Sequence, residues 1–191
     1  MIMLLFEQPF LWCRRYTARL NSIFRDMYTM NDISRIGEFM LERKETLSVA
    51  ESVTAGQLQA AISLAQKAMQ FFEGGVTTYT IEQKVKHLGV DPIAALTCNC
   101  VSKDVASQMA LGVQKLFSTT WGIAITGYAS RVPEANINSL FAFYAFSYKG
   151  RIKHVYKVDC TDEDPFRVQQ IYTAQVLQSF CEFIYAHALT S

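Results

Sequence analysis

The amino-acid sequence predicts one α/β domain, a three-layer α/β/α sandwich around a mixed β-sheet. From residue 31 onward, stretches with helical periodicity alternate with short runs of β-branched or apolar residues. Near the end of the chain, two strand-like runs flank Lys149-Gly150 and are expected to pair as an antiparallel hairpin. Half of the 191 residues are hydrophobic, which is enough for one packed core, and no Pro- or Ser-rich linker divides the chain.

The first half of the domain is predicted to hold three helices and two strands. Apolar residues spaced three or four positions apart, such as Ile33, Ile36 and Met40, mark the helices. Two glycines followed by β-branched residues mark the second strand, and Gly89 is expected to stop the helix after it. In chain order, the predicted elements are a helix at 31–44, a strand at 47–52, a helix at 55–72 with Leu58, Ala61, Ile62 and Ala65 on one side, a strand at 74–80 and a helix at 81–89.

The second half continues with a capped helix, a buried strand, the hairpin and a long last helix. Ser102 can cap the first of these helices, and Asp164-Pro165 is typical of a helix start. The run WGIAITG is apolar throughout, as in a strand covered on both faces. The predicted elements are a helix at 102–117 burying Val105, Met109, Val113 and Leu116, a strand at 121–127, a hairpin within 139–159, and a helix from 164 burying Ile171, Ala174, Leu177, Cys181 and Ile184.

The overall composition argues against several classes of partner. Net charge is +1, with acids and bases interspersed, so we predict no nucleic-acid partner. Five cysteines without the spacing of a secreted scaffold favour reduced thiols in a cytoplasmic protein. The pair Cys98 and Cys100 lacks further ligands nearby, so ordinary thiols are favoured over a metal site, and we predict no cofactor.

Residues 1–30 differ from the rest and are expected to be an extension outside the domain, disordered or translated from a start codon assigned too early. Their apolar part is interrupted by Glu7 and Pro9 and is too short for a membrane span. Arginines follow it, which resembles a transit segment; the alternative is that Met27 or Met30 is the true start. The folded domain is therefore predicted at 31–191.

Polar residues follow the predicted strands where ligands bind in open α/β sheets. The stretch SVAESVTAG runs from a strand into a helix, and Tyr79 with Lys84 follows the next strand. If the strands are neighbours, Ser52, Tyr79, Lys84 and Thr126 converge on one crevice.

Such a set can form an amidase site. Serine needs a base to become a nucleophile, and none of the histidines lies at a strand end. Lysine can serve if burial keeps it uncharged, with Tyr79 relaying the proton and amides at the next helix start holding an oxyanion. A serine cap beside a surface lysine would have the same spacing. The catalytic alternative requires Ser52 Oγ and the Lys84 amine to lie within hydrogen-bond reach or one water apart.

Several motifs together resemble the CinA C-terminal domain family over about residues 31–188. Ala50–Gly56 corresponds to the family pattern A-E-S-C-T-G-G, and Phe72–Lys84 corresponds to F-x-G-G-x-x-x-Y-[ST]-N-E-x-K. The runs CVSKDVASQMALGV, GIAITG and DEDPFRVQQIYTAQVLQ follow in the family order.

The resemblance implies a homodimer that hydrolyses nicotinamide mononucleotide to nicotinate mononucleotide and ammonia, without a metal. It assigns the nucleophile to Ser52, the base to Lys84 and their partner to Tyr79. The substrate-binding residues that follow from this assignment are Glu51, Thr54, Gly56, Gly75, Thr126, Gly127 and Arg167. Arg131 lies in a loop that differs from the family and is expected to bind a substrate phosphate through its charge.

One region departs from the family. Members have a glycine-rich loop after the strand that ends at Gly127, whereas this chain has YASRVPEANIN, and Glu163 stands where an arginine is common. Three interpretations are therefore open: an amidase for nicotinamide mononucleotide with a rebuilt phosphate pocket, an amidase for a different amide, or an inactive relative that binds ligands and regulates.

Overall fold

The computed structural model describes residues 30–188, and within that range six α-helices surround a five-stranded β-sheet. The predicted extension thus lies outside the described residues, apart from Met30. The elements are α1 (Met30–Arg43), β1 (Leu47–Glu51), α2 (Gln57–Ile62), β2 (Phe72–Thr77), α3 (Ile81–Leu88), α4 (Pro92–Thr97), α5 (Lys103–Phe117), β3 (Trp121–Gly127), β4 (Leu140–Tyr148), β5 (Arg151–Cys160) and α6 (Pro165–Ala188). Short 3₁₀ turns occur at Ala68–Gln70 and Pro133–Ala135.

The sheet is mixed, as the sequence predicts, and its strand order is β2-β1-β3-β4-β5. Strand β1 runs parallel to both β2 and β3, while β4 is antiparallel to β3 and β5. Lys149 and Gly150 join β4 to β5 with φ values of 48° and 75°. Two residues in the left-handed region match the right-handed twist of a hairpin, which explains this tight connection.

Helices cover both faces of the sheet, which confirms the three-layer prediction. One core lies between the sheet and helices α1, α2 and α6, and contains Phe71, Phe146 and Tyr172. The other lies between the sheet and helices α3, α4 and α5, and contains Val105 and Met109. Strand side chains point alternately to the two cores because their direction alternates along a strand.

Strand β1 is the point from which the chain adds strands first on one side of the sheet and then on the other, and this change of side positions the site. From β1 the chain passes through α2 to β2 on one side, then through α3, α4 and α5 to β3 on the other side. The carboxyl ends of β1 and β3 therefore flank a crevice where the connections leave in opposite directions. Such a switch point is where ligands bind in open α/β sheets.

The predicted helix at 55–72 is wrong beyond Ile62. Helix α2 ends there, and the chain turns so that the ring of Phe71 is fully buried against Gly37 of α1. Lys67 adopts a left-handed φ of 56° in this turn. Burial of a phenylalanine outweighs the helical propensity of the intervening residues. Helix α4 was not predicted.

Two residues of the predicted buried faces are exposed. Leu116 of α5 is 50% exposed and Ile171 of α6 is 41% exposed. In α6, Tyr172 takes the buried place, and its hydroxyl donates to the carbonyl of Tyr128 at 3.1 Å. Leu177, Cys181 and Ile184 are buried as predicted, so the buried face of α6 differs from the prediction only near its start, where a tyrosine that satisfies its hydroxyl can be fully buried.

Candidate functional site

A cleft of about 550 Å³ opens at the carboxyl ends of β1 and β3, where the fold predicts a ligand site. Ser52, Tyr79, Lys84 and Thr126 all line it, so the predicted convergence of these residues is confirmed. The lining also contains Val53, Thr80, Ile81, Glu82, Asn99, Cys100, Val101, Gly127, Tyr128, Ala129, Ser130, Val132, Pro165 and Gln169.

Ser52 and Lys84 are in direct contact at the base of this cleft. Lys84 Nζ donates to Ser52 Oγ at 2.9 Å and to the carbonyl oxygen of Tyr79 at 3.2 Å. The exposed fractions are 7% for Ser52 and 1% for Lys84. Ser52 is held at the end of β1 because its amide donates to the carbonyl of Ile125 in β3. The predicted hydrogen-bond contact is confirmed, and a surface lysine beside a serine cap is excluded.

Helix α3 brings the Lys84 amine to the site. Thr80 caps the helix, and its carbonyl accepts from the Lys84 amide at 3.1 Å. Burial lowers the pKa of Lys84 from its ordinary value of 10.5, and interaction with Cys100 opposes that shift. Among the described residues, no carboxylate forms an ion pair with this amine. A buried amine without a counter-ion favours its uncharged form, which is the form that can accept a proton.

Tyr79 contributes to the pair through its backbone. Its carbonyl binds the Lys84 amine, whereas its side chain is 72% exposed and lies along the cleft. The structure therefore does not bring the phenol between Ser52 and Lys84. A proton relay through Tyr79 would require the ring to turn inward.

Glu51 caps helix α2 from beneath the cleft. Its carboxylate accepts from the Thr54 hydroxyl at 2.6 Å and from the amides of Gly56, Leu58 and Gln59 at 3.1, 3.0 and 2.9 Å. The prediction that the amides at this helix start hold an oxyanion is therefore wrong for these three, because Glu51 already occupies them. Glu51, Thr54 and Gly56 are not among the residues lining the cleft.

The predicted glycines and Thr126 have different environments. The Thr126 hydroxyl donates to the Cys100 carbonyl at 2.8 Å, which joins the end of β3 to the loop before α5. Gly127 lines the cleft and approaches β4 so closely that a Cβ would collide with Ala142. Gly75 lies inside β2, where a Cβ would collide with Val49, and the described cleft lining does not include it.

The two arginines predicted to bind substrate are paired with acids outside the cleft lining. Arg131 Nη2 lies 2.8 Å from Glu163 Oε1, and Arg167 Nε lies 3.5 Å from Asp162 Oδ2. Both side chains are more than half exposed. The structure thus does not bring these guanidinium groups together with Ser52 and Lys84.

Several cleft residues were not predicted from the sequence, and two of them, Asn99 and Tyr128, contact each other. Asn99 adopts a left-handed φ of 48°, and its side-chain amide donates to the Tyr128 hydroxyl at 3.2 Å. Cys98-Asn99-Cys100 was considered only as a metal motif, although asparagine tolerates left-handed backbone and often marks a functional loop. Tyr128 was considered only as a departure from a glycine-rich loop.

Metal-binding clusters and membrane-spanning helices are both absent from the described part of the chain. Its His, Cys, Asp and Glu residues form no group of three or more that would suit a metal ion. None of its helices combines the length and apolar character needed to cross a bilayer.

Together these features define the class: an α/β protein with a buried serine–lysine pair in a switch-point cleft. The sequence profile of the CinA C-terminal domain matches residues 31–184. The chain belongs to the CinA C-terminal domain family, because that match covers most of its length.

Curated relatives and solved structures agree with this assignment. A "CinA-like protein" from Synechocystis is 46% identical over 96 residues, covering 50% of this chain and 23% of the relative. One from Nostoc punctiforme is 42% identical over 107 residues, covering 54% and 26%. The match therefore spans about a quarter of the length of these relatives.

Among solved structures, a competence-damaged protein (CinA) superfamily protein from Klebsiella pneumoniae has a TM-score of 0.76 at 24% identity, covering 82% of this chain and 97% of that one. A superfamily member from Escherichia coli has a TM-score of 0.70 at 26% identity, covering 80% and 88%. The first likeness is evidence for the fold alone.

Proposed function

We propose that this protein is an amidohydrolase that uses Ser52 as nucleophile and Lys84 as general base. The observation that carries the proposal is the 2.9 Å contact between Lys84 Nζ and Ser52 Oγ, with both groups buried at the base of an open cleft. Nicotinamide mononucleotide is the substrate that the family resemblance implies, and its products are nicotinate mononucleotide and ammonia.

In the first step, the uncharged Lys84 amine accepts the hydroxyl proton while Ser52 Oγ attacks the carboxamide carbon. The 2.9 Å separation is within the range for direct proton transfer. The Tyr79 carbonyl accepts a hydrogen bond from the amine and so fixes its orientation toward Ser52. The lowered pKa of Lys84 supports its role as a base.

The tetrahedral intermediate then collapses. The C–N bond breaks, the Lys84 ammonium gives its proton to the leaving nitrogen, and ammonia departs, leaving an ester on Ser52. Water attacks this ester with Lys84 again as the base, which frees the acid and the serine. We assign the oxyanion donor to the amide of Val53, because Val53 directly follows the nucleophile and lines the cleft while Glu51 occupies the amides of the helix start.

The direct test is ammonia release from nicotinamide mononucleotide. We expect turnover by the unchanged protein and a loss of about 10³-fold or more in Ser52→Ala and in Lys84→Ala. Ser107→Ala is the control and should leave turnover unchanged, because the Ser107 hydroxyl donates to the Lys103 carbonyl within α5.

Two outcomes would redirect the proposal. If the mononucleotide is inert but a panel of primary amides gives turnover that depends on Ser52, the protein is an amidase for a different amide. If no amide is hydrolysed while nucleotides raise the melting temperature, the inactive, ligand-binding interpretation replaces catalysis.

We also propose, from the resemblance and the composition, that the protein acts as a cytoplasmic homodimer on a small-molecule nucleotide. Sedimentation equilibrium of the purified chain measures the oligomeric state, and a monomer at micromolar concentration contradicts the dimer. Fractionation of cells that produce the untagged protein tests its location.

A further inference from the structure

One buried hydroxyl beside the candidate site has no hydrogen-bond partner. Thr78 directly follows β2 and is 1% exposed, and among the described residues no group bonds to its Oγ1 atom. A buried hydroxyl without a partner lowers stability, because it loses its bonds to water and gains none in return. Such unpaired groups are uncommon in native proteins, so this one needs a physical reason.

The side chain of Thr78 points toward α3 and α5, the layer that carries Lys84. Thr77, one residue earlier, points the other way, because its hydroxyl accepts from Gln59 Nε2 in α2 at 3.3 Å. Side-chain direction alternates along a strand, so Thr78 faces the opposite layer. Val76 agrees with this alternation, since it packs against the core between the sheet and helices α3, α4 and α5.

Thr78 is also the neighbour of Ser52 on the adjacent strand. Glu51 pairs with Thr77 in the parallel register of β1 and β2. The Thr78 amide donates to the Glu51 carbonyl at 2.8 Å, which continues that register by one residue. Ser52 and Thr78 therefore lie side by side at the strand ends, with Cα atoms about 5 Å apart. Paired residues of a parallel ladder project to the same face, so both hydroxyls lie on the side of α3.

The Lys84 amine needs an acceptor that its described contacts do not provide. An uncharged amine has two hydrogens and one lone pair, so the lone pair faces the Ser52 hydroxyl only if both hydrogens are bonded elsewhere. The Tyr79 carbonyl, 3.2 Å from Nζ, accepts one of them. Apart from Ser52, no second acceptor bonds to Nζ within the described residues. Thr78 Oγ1, one residue before Tyr79, is an acceptor without a partner.

We propose that Thr78 is a positioning residue of this site, whose hydroxyl accepts the second hydrogen of the Lys84 amine. This inference rests on the proposed function. A turn of the threonine to another staggered rotamer redirects its hydroxyl without moving the backbone. With one hydrogen held by Tyr79 and one by Thr78, the lone pair faces Ser52 and takes its proton. In the ammonium that forms, the same two bonds aim the transferred hydrogen at the leaving nitrogen beside Ser52 Oγ.

Removal of the hydroxyl separates its effect on activity from its effect on stability. Thr78→Val keeps the shape of the side chain, so we expect kcat for nicotinamide mononucleotide to fall by about tenfold. KM should not change, because Thr78 is not among the residues lining the cleft. The melting temperature should rise by about 2–4 °C, since the unpaired polar group is gone. A purely structural residue would change kcat and stability in the same direction.

Thr78→Ser should have the opposite pair of effects. It keeps the hydroxyl and loses a buried methyl group, so we expect kcat within about threefold of the unchanged protein and a melting temperature lower by about 2–4 °C. Thr77→Val is the matched control, because it removes the neighbouring hydroxyl from the other face of the sheet and should not alter kcat. A kcat for Thr78→Val within about twofold of the unchanged protein overturns the inference.

The pKa of Lys84 gives a second measurement, which does not need turnover. An acceptor stabilises the ammonium more than the amine, so it raises the pKa against the effect of burial. We therefore expect the titration of the Lys84 Cε resonance, followed by NMR in the full chain labelled with ¹³C-lysine, to move to lower pH in Thr78→Val. It should stay in place in Thr77→Val. Lys84→Arg identifies the resonance.

The other titratable groups around the amine are the same in all these variants. Cys100, in the loop before α5, interacts with Lys84 and favours its ammonium form. Tyr79, Glu82 and Tyr128 line the same cleft. The charged side chains of α5 are exposed, namely Lys103, Asp104 and Lys115. A difference between the variants therefore reports the loss of the threonine hydroxyl.

The two measurements can fail separately. If the unchanged protein releases no ammonia from any amide, the proposed function is wrong, whereas a titration at lower pH in Thr78→Val still supports the hydrogen bond to Lys84. A titration that does not move in Thr78→Val overturns the inference even if the unchanged protein hydrolyses nicotinamide mononucleotide.

Discussion

Burial, rather than a neighbouring cation, alters the proton affinity of Lys84. Lys84 is 1% exposed, and its amine bonds to the Ser52 hydroxyl and the Tyr79 carbonyl, neither of which carries a charge. Burial disfavours the ammonium form and lowers the pKa of Lys84. The same burial also shields the serine from bulk water, so one structural feature supplies both the base and the enclosed nucleophile.

The lowered pKa of Lys84 predicts the direction of the pH dependence. The base works only when unprotonated, so kcat/KM should rise with pH up to the folded-state pKa of Lys84, which is below 10.5, and then level off. Lys84→Arg should abolish activity, and with it the rise of kcat/KM with pH, because a guanidinium stays protonated. Initial rates over a pH series measure it. Activity that falls as pH rises toward 10.5 in the folded protein would contradict Lys84 as the base.

Glu51 illustrates how a residue beside a nucleophile can be structural. Because its carboxylate accepts four hydrogen bonds at the start of α2, we expect Glu51→Ala to lower the free energy of unfolding by about 3 kcal/mol or more. Thr54→Val removes only one of these bonds and should cost about 1–2 kcal/mol. Urea unfolding measures both variants. If Glu51→Ala were as stable as the unchanged protein, the capping role would be wrong.

At the scale of elements, the position of α3 depends on its close packing against α5. A Cβ on Gly112 of α5 would collide with the carbonyl of Leu88 at the end of α3. We expect Gly112→Ala to push α3 outward, to destabilise the protein by about 2 kcal/mol, and to lower kcat by about tenfold by displacing Lys84. Thermal unfolding and the ammonia assay measure the two effects.

Ser107→Ala is the control for this variant, because the Ser107 hydroxyl donates to Lys103 within α5. It should leave both stability and kcat within about 0.5 kcal/mol and twofold of the unchanged protein. Unaltered kcat in a destabilised Gly112→Ala would show that α3 holds its place by other contacts.

The sequence predicts elements well where local pattern and tertiary packing agree. Helix α5 has Ser102 as its cap and β3 is apolar throughout, and both were predicted within a residue or two. Helix α2 fails because burial of Phe71, which depends on the distant Gly37, decides where it ends. The prediction for α6 is wrong only at Ile171, because Tyr172 is buried instead and its hydroxyl bonds to Tyr128, a contact across 44 residues.

The same distinction applies to the site. Ser52 and Lys84 could be paired from the sequence, because both follow strands that any parallel sheet brings together. The pairing of Arg131 with Glu163 could not be predicted, since it depends on how the loop after β3 folds against the segment before α6. The topology of the sheet determines where the strand ends lie, whereas loop contacts depend on individual side chains that no periodic sequence pattern predicts.

For the whole molecule, the family profile and the two cores of the described residues indicate which part of the chain is sufficient for folding. Within the described residues 30–188, the buried core residues run from Ile33 in α1 to Ile184 in α6, and the family profile covers residues 31–184. Helix α1 contributes Ile33, Ile36, Phe39 and Met40 to the core, each 5% exposed or less. Truncation is tolerated where the lost backbone and side chains are not part of such a core.

We therefore expect a chain of residues 30–191 to fold as the full chain does, with a melting temperature within about 3 °C and the same kcat/KM. A chain starting at residue 45 would lose four buried side chains of α1. At about 1.5–3 kcal/mol each, that loss is comparable to the entire stability of a domain, so this chain should not fold. Circular dichroism melts and the ammonia assay compare the three chains. An unfolded or inactive 30–191 chain would assign the first 29 residues to the domain itself.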